Sequence, residues 1–389
     1  MISVGHPHQV SYRSIRDLLL VLLLVPLALS LNGCTVARFV KWNFADRRDY
    51  KKFPTRPLPA SASPYRYAEA STEIAPRIKD AKGLEFPFDT WLEDHKTTAF
   101  LVIRHDTILY ERYFKGYDEA QVHPSFSMAK SVVSMLIGTA IADGLIRDVQ
   151  QPITDFIPEL KANGFEAVTI EHVLQMTSGI DFKESYVNPF GTVAKFYYGR
   201  QLTKYTLKLR LKRAPGTQWE YVSGDTQLLG LVLERALRAK GDPRSVTQYL
   251  SDRLWTPLGM EHASTWSIDY KGDGIEKAFC CINAPARDFA KLGSLYLHNG
   301  EWRGQQLVPS DWVRTSTSPN TENGGVNFYR YQWWFSGQPD TFHAEGILGQ
   351  FIHVDTANDL VIVRLGGAYA GVPWTQVFKT VSPTYQLTH

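Results

Sequence analysis

Cysteine is scarce: the 389 residues hold three, at positions 34, 280 and 281. So few cannot staple a small disulfide-built domain, and a chain this long buries enough core without one. Metal-ligand spacings of the CxxC or HExxH kind are missing, so no metal or other cofactor is expected. No Gly-x-Ser-x-Gly occurs, which removes the nucleophile elbow of α/β-hydrolases. Neither charge sign dominates. Lys and Arg number 42 against 39 Asp and Glu. The aromatics, 13% of the chain, do not interleave with a basic stripe, so nucleic acid is not an expected partner. No internal repeat is visible. What remains, 44% apolar and 21% charged residues, is the make-up of a soluble globular protein. The length allows two or three ordinary domains, or one large domain with a subdomain.

A long apolar run occurs near the N-terminus, over residues 18–31, after Arg13 and Arg16. It is short for a membrane span and suits the apolar region of a signal peptide. It ends in Leu31-Asn32-Gly33-Cys34, which resembles the bacterial lipobox, where cleavage exposes a cysteine that takes diacylglycerol. The resemblance implies a signal peptide over 1–33, lipidation of Cys34, and a membrane as partner through that anchor. Each buried CH₂ of such an anchor contributes roughly 0.8 kcal/mol. Thr35, rather than Asp, after the cysteine implies the outer membrane of a bacterial cell envelope, facing the periplasm. An uncleaved anchor helix and a plain signal peptide with an incidental cysteine are the alternatives. With Cys34 acylated, Cys280 and Cys281 remain. Adjacent Cα atoms lie about 3.8 Å apart, below the usual disulfide range, so two buried thiols are expected.

Residues 34–85 carry clustered charge at Asp46-Arg47-Arg48-Asp49 and a Pro/Ser/Ala stretch from Pro57 to Pro64. They read as a tether and irregular lead-in to a domain over 86–389. Phe100-Leu101-Val102-Ile103 and Ile108-Leu109-Tyr110 flank His105-Asp106-Thr107, a hairpin signal. A helix is expected from about Ser127 to Asp143, stopped by Gly144 and apolar nearly all round, hence buried. Helical patterns fill the middle. Strands return at Tyr331-Gln332-Trp333-Trp334-Phe335 and in a hairpin formed by 350–354 and 360–365. The expected fold is α+β: one antiparallel sheet built from both chain ends, flanked by helices, with a helical subdomain inserted at about 146–285.

Three motifs carry chemistry. Ser127-Met128-Ala129-Lys130 is the only Ser-x-x-Lys in the chain, and it opens the buried helix. Residues i and i+3 share a helix face, so hydroxyl and amine can meet. The positive helix N-terminus and apolar surroundings both disfavour an ammonium, and a neutral amine can take the Ser proton. An N-cap serine beside a snorkelling lysine is the plainer alternative. Tyr221-Val222-Ser223 follows the turn signal Pro215-Gly216-Thr217 and precedes a helix. A phenol near a lysine can relay a proton, although a lone Tyr is more often a buried one with its hydroxyl satisfied. In Gly346-Ile347-Leu348-Gly349-Gln350 the glycine lets backbone approach a ligand closely. An N–H there would pair with that of Ser127 as oxyanion donors; an ordinary turn into a strand is the alternative.

This ordered set resembles the serine β-lactamase and penicillin-binding-protein superfamily, in its class C-like branch. Further segments join the resemblance: His172-Val173-Leu174-Gln175-Met176-Thr177-Ser178-Gly179, Trp255-Thr256-Pro257-Leu258-Gly259-Met260 and Ala286-Arg287-Asp288-Phe289-Ala290. Asp181-Phe182, Tyr221-Val222-Ser223 and Gly346-Ile347 look most like 6-aminohexanoate-dimer hydrolases and related carboxylesterases. The resemblance implies a serine hydrolase acting on a small-molecule ester or linear amide. Ser127 would be the nucleophile, Lys130 its base and Tyr221 the relay to the leaving group. The amides of Ser127 and Ile347 would hold the oxyanion, with Gly346 and Ser223 completing the binding site. A β-lactamase or D-amino-acid peptidase acting on cell-wall peptides is one alternative, and a catalytically silent binding lipoprotein another. One departure stands out. Aligning the glycine of the family's Lys-Thr-Gly motif on Gly346 puts Ala344 and Glu345 at its first two positions. The cation is missing, and His343 falls one residue too early, as a core or cleft-edge histidine.

Overall fold

The computed structural model describes residues 35–76, 78–79 and 85–385. The expected signal peptide and Cys34 lie outside the described residues. Helix α1 (Thr35–Trp42) leads to strands β1 (Thr55–Leu58) and β2 (Ala68–Glu69). A hairpin follows, β3 (Thr97–Arg104) and β4 (Thr107–Tyr113). Its turn residues His105 and Asp106 have φ of 47° and 52°, the paired left-handed conformation that matches strand twist. Strand β5 (His123–Pro124) enters helix α2 (Met128–Ala142). Then come α3 (Thr192–Tyr198), α4 (Ser223–Ala239), β6 (Ser264–Ser267), β7 (Ile282–Ala284) and α5 (Ala286–Leu297). The last third holds β8 (Tyr329–Arg330), β9 (Trp333–Trp334), β10 (Thr341–Gly346), β11 (Gln350–Asp355), β12 (Leu360–Gly366) and helix α6 (Trp374–Val381).

The main sheet runs in the order β8-β9-β10-β11-β12-β3-β4-β2. It is antiparallel apart from the parallel β2–β4 pair. The two chain ends meet where β12 lies beside β3, with Val361 opposite Ile103 and Val363 opposite Leu101. This is the α+β sheet expected from both chain ends. Side-chain alternation sorts these strands between two cores. Ala99, Leu101, Ile103, Val361 and Val363 join α2 and α5 on one face. Phe100, Val102, Leu360 and Ile362 join Trp374 and Phe378 of α6 on the other. Helix α2 buries 13 of its 15 residues, so it has no solvent face and must run through the middle. The first residues of α2 are therefore fixed by core packing.

The lead-in differs from the tether expected over 34–85. From residue 35 it is folded onto the domain. Phe39 of α1 meets Tyr198 of α3 at 5.3 Å between ring centroids. Strand β1 pairs with β6, Thr55 opposite Ser267. Its Pro57 is tolerated because β1 is the edge of a second sheet, ordered β1-β6-β7-β5. Phe39, Leu58 and Tyr67 are too widely spaced to show a period, yet all three are buried. Helices are the commonest regular elements of the insert over 146–285, but it contributes β6 and β7 to this sheet. The single strand expected over 331–335 is instead a hairpin, with Tyr331 and Gln332 at φ of 43° and 71° forming its turn. Tertiary hydrogen bonds hold that turn. Gln332 Nε2 donates to Leu174 O at 2.7 Å, and Ser131 Oγ donates to Gln332 O at 2.7 Å.

Candidate active site

Ser127 caps α2 at the end of a tight approach. Phe126, just before it, is buried with φ of 45°, a region where a bulky residue stays only if its surroundings hold it. Strand β7 does so. Ser125 N–H donates to Ile282 O at 2.7 Å, and Ile282 N–H donates to Ser125 Oγ at 3.1 Å. The turn presents the Ser127 hydroxyl beside Lys130, one helical turn on.

Lys130 is 2% exposed, and its Nζ has three oxygen neighbours. They are Phe279 O at 2.8 Å, Ser127 Oγ at 3.0 Å and Ser223 Oγ at 3.3 Å. Burial pushes the ammonium down to about 8, against the Glu184 carboxylate, which favours the charged form. Neutral amine is then present in roughly one-tenth of molecules at pH 7. The neighbours decide where its lone pair points. A carbonyl only accepts, so Phe279 takes one N–H. Ser223 gives its own hydrogen to Glu184 Oε1 at 2.7 Å and so takes another. The remaining direction is Ser127 Oγ. The amine is thereby aimed as a proton acceptor at that hydroxyl.

Tyr221 stands across from Lys130, whose Nζ lies 5.2 Å from its ring centroid. Its hydroxyl lies near the Ser127 side chain. Burial, and then the negative charge of Glu184, push this phenol well above its ordinary range; Glu345 adds to the shift. So at neutral pH Tyr221 is a proton donor, while Lys130 is the group with an accessible neutral form. The ring is held against Trp334 at 5.4 Å and Tyr329 at 6.1 Å.

On the other side of Ser127 lies the turn after β10. The amide groups of Ser127 and Ile347 donate to no protein acceptor among the described residues. Gly346 makes the close approach of this turn possible. A methyl group on it would stand 2.4 Å from Ser125 O and 3.1 Å from Ser127 N. Arg364 of β12 fixes the turn from behind. Its guanidinium donates to Leu348 O at 2.9 Å and Gly349 O at 2.6 Å, and also to His95 O and Ala368 O, each at 3.0 Å.

The structure thus gathers Ser127, Lys130, Tyr221, Ser223, Gly346 and Ile347 round one point. Ser223 sits between Lys130 and Glu184. Glu184, Phe279 and Arg364 were not foreseen, because each acts through a contact that no local spacing encodes. Glu184 reaches Ser223 N–H at 2.8 Å from 39 residues away. At the third motif, Ala344 shares the sheet face of Gly346 and is fully buried, without a cation. Glu345 projects from the other face, where Tyr369 donates to it at 2.6 Å and His343 lies 3.5 Å away. Burial would raise this carboxyl, but the bonds from His343 and Tyr369 hold it below its ordinary value. His343 is buried, as a core histidine. The two free thiols expected at 280 and 281 are corrected to a disulfide between neighbours, Cα to Cα 3.7 Å. Cys281, at φ of 74°, turns the chain so that both sulfurs meet, directly after the Phe279 carbonyl that holds Lys130.

The Beta-lactamase family model matches residues 89–366. The 6-aminohexanoate-dimer hydrolase of Paenarthrobacter ureafaciens is 29% identical over 79% of this chain and 82% of its own length. Esterase EstB of Burkholderia gladioli is 28% identical over 52% of this chain and 54% of its own. Among solved structures, a family VIII carboxylesterase superposes with a TM-score of 0.59 at 16% identity, covering 76% of this chain and 95% of the other. That likeness concerns the fold. The match over residues 89–366, with a Ser-Lys-Tyr cluster at the start of a buried helix, identifies the chain as a member of the Beta-lactamase family.

Proposed function

We propose that the protein is a serine hydrolase that cleaves an ester or a linear amide through an acyl-enzyme on Ser127. The observation that carries this reading is Lys130 Nζ at 3.0 Å from Ser127 Oγ, with its other two directions occupied. Lys130 takes the Ser127 proton as Oγ bonds to the substrate carbonyl carbon. The amides of Ser127 and Ile347 hold the resulting oxyanion. Tyr221 gives a proton to the departing alcohol or amine as its bond to the carbonyl breaks, and the proton on Lys130 replaces it. Water, deprotonated by the same pair, then releases the acid and restores Ser127. The named activities of the amide-cleaving and ester-cleaving relatives support this substrate class. The missing cation at Ala344 favours an ester or linear amide over a β-lactam, whose carboxylate needs a positive partner.

The lipid anchor belongs to the same proposal. The apolar run over 18–31 and the Leu31-Asn32-Gly33-Cys34 sequence support attachment to a bacterial envelope membrane through Cys34. The catalytic part is tested by Ser127→Ala, which removes one hydroxyl in a cleft. Hydrolysis of p-nitrophenyl esters should vanish while thermal unfolding is unchanged. Turnover surviving in the purified variant would overturn the reading.

A further inference from the structure

Next to Ile347 lies a cavity of about 280 Å³ that the steps above do not use. Its wall includes Phe39 and Ala45 from the lead-in, Ala194 and Tyr198 from α3, and Ile347 and Leu348 from the turn after β10. No Asp, Glu, Lys, Arg or His lines it. Tyrosines line it too, but their hydroxyls are engaged elsewhere. Tyr186 donates to Glu184, Tyr197 to Asp49, Tyr198 to Asn43 O and Tyr369 to Glu345. The cavity therefore offers a ligand apolar surface and no free polar handle.

Among the described residues seven large apolar side chains stand exposed. Two of them, Phe44 and Tyr186, line the cavity, and Val40, Val187 and Phe190 belong to the same two stretches of chain. Ile347 ties the cavity to the chemistry: its amide is the proposed oxyanion donor, and the residue is part of the wall. Tyr221, which protonates the leaving group, is not on the wall. The cavity is thus walled by the turn that carries the oxyanion amide and not by Tyr221 itself. Helix α1 begins one residue after Cys34, so anchoring there would hold the lead-in wall of the cavity near a lipid surface.

We propose that the cavity is an acyl-chain site, and that the substrate is an amphiphile whose acyl part is a linear apolar chain. The inference rests on the serine-hydrolase reading and narrows it. At about 30 Å³ for a group the size of water or methylene, the space holds about nine carbons. The test is kcat/KM for p-nitrophenyl acetate, butyrate, hexanoate, octanoate and dodecanoate. It should rise about fourfold per added methylene, the rate equivalent of burying one CH₂, and fall beyond about nine carbons. Ala45→Trp, which puts an indole into the space from the half-buried lead-in, should lower the octanoate-to-acetate ratio at least tenfold. The exposed Phe44→Ser should lower the same ratio by removing part of the wall, and it threatens folding least. A flat chain series in the wild type overturns the inference and leaves the nucleophile standing. A chain preference that both variants leave untouched overturns it too, by putting the chain elsewhere. Rates of Ser127 labelling by ethyl and octyl fluorophosphonates read the same preference without turnover. Equal rates contradict the acyl site alone, and no labelling contradicts the serine-hydrolase reading itself.

Discussion

Lys130 has three oxygen neighbours but, once neutral, only two hydrogens, and that mismatch makes it a base. Its activity should follow its charge. The ammonium is inactive and titrates at about 8, so kcat/KM should climb with pH and level off above that value. Glu184 favours the charged form. Removing its charge with Glu184→Gln should therefore move the limb to lower pH. A limb that stays in place or moves upward would mean that Glu184 does not act on Lys130. Tyr221→Phe removes the donor to the leaving group and should cut kcat by about 10²–10⁴-fold, the usual range for a general acid. An effect confined to KM would assign Tyr221 to binding instead. Ser127, Lys130 and Tyr221 were legible in the sequence because each belongs to a short string beside a helix start. Glu184 was not. Its charge reaches Lys130 through Ser223, a contact that exists only once α4 has docked.

At the scale of elements, the turn after β10 is the piece the reaction depends on most. It carries Ile347 and is clamped by Arg364, whose head group serves four backbone carbonyls. Arg364→Met should leave those carbonyls unpaired and cost more than about 3 kcal/mol of stability, since each buried unsatisfied group costs about 1–3 kcal/mol. Urea unfolding checks the stability term. A folded Arg364→Met with unchanged kcat would show that the turn holds its shape unaided. Hairpins could be read from sequence where turn chemistry is local, as at His105-Asp106 and at the Thr-Ala-Asn-Asp turn before β12. The aromatic run over 331–335 defeated that reading. Its composition is that of a strand, but Gln332 is drawn into the core by Leu174 and Thr226, and the chain must reverse there. The bond between Cys280 and Cys281 was hidden for a similar reason. It requires the left-handed Cys281, which spacing alone does not reveal.

For the whole molecule, the sheet joining both chain ends was legible because its central strands β3, β11 and β12 are buried on both faces. The docking of the lead-in was not, because its few apolar anchors are scattered over some thirty residues. That docking bears on substrate choice, since the lead-in walls the cavity beside Ile347. The absence of a cation at Ala344 bears on it too. We expect kcat/KM for p-nitrophenyl butyrate to exceed that for nitrocefin on the same preparation. A clear preference for nitrocefin would contradict the ester assignment. Cys34→Ala should release the protein from the membrane fraction or stop its processing. Wild-type protein found soluble, with no acyl group by mass spectrometry, would remove the anchor. The most direct test of the central claim is rapid-quench peptide mapping during turnover of p-nitrophenyl butyrate. The account predicts a butyryl group on the peptide that contains Ser127, formed as fast as p-nitrophenol is first released, and absent from Ser127→Ala. A butyryl group on another residue, or steady turnover by Ser127→Ala, would contradict it.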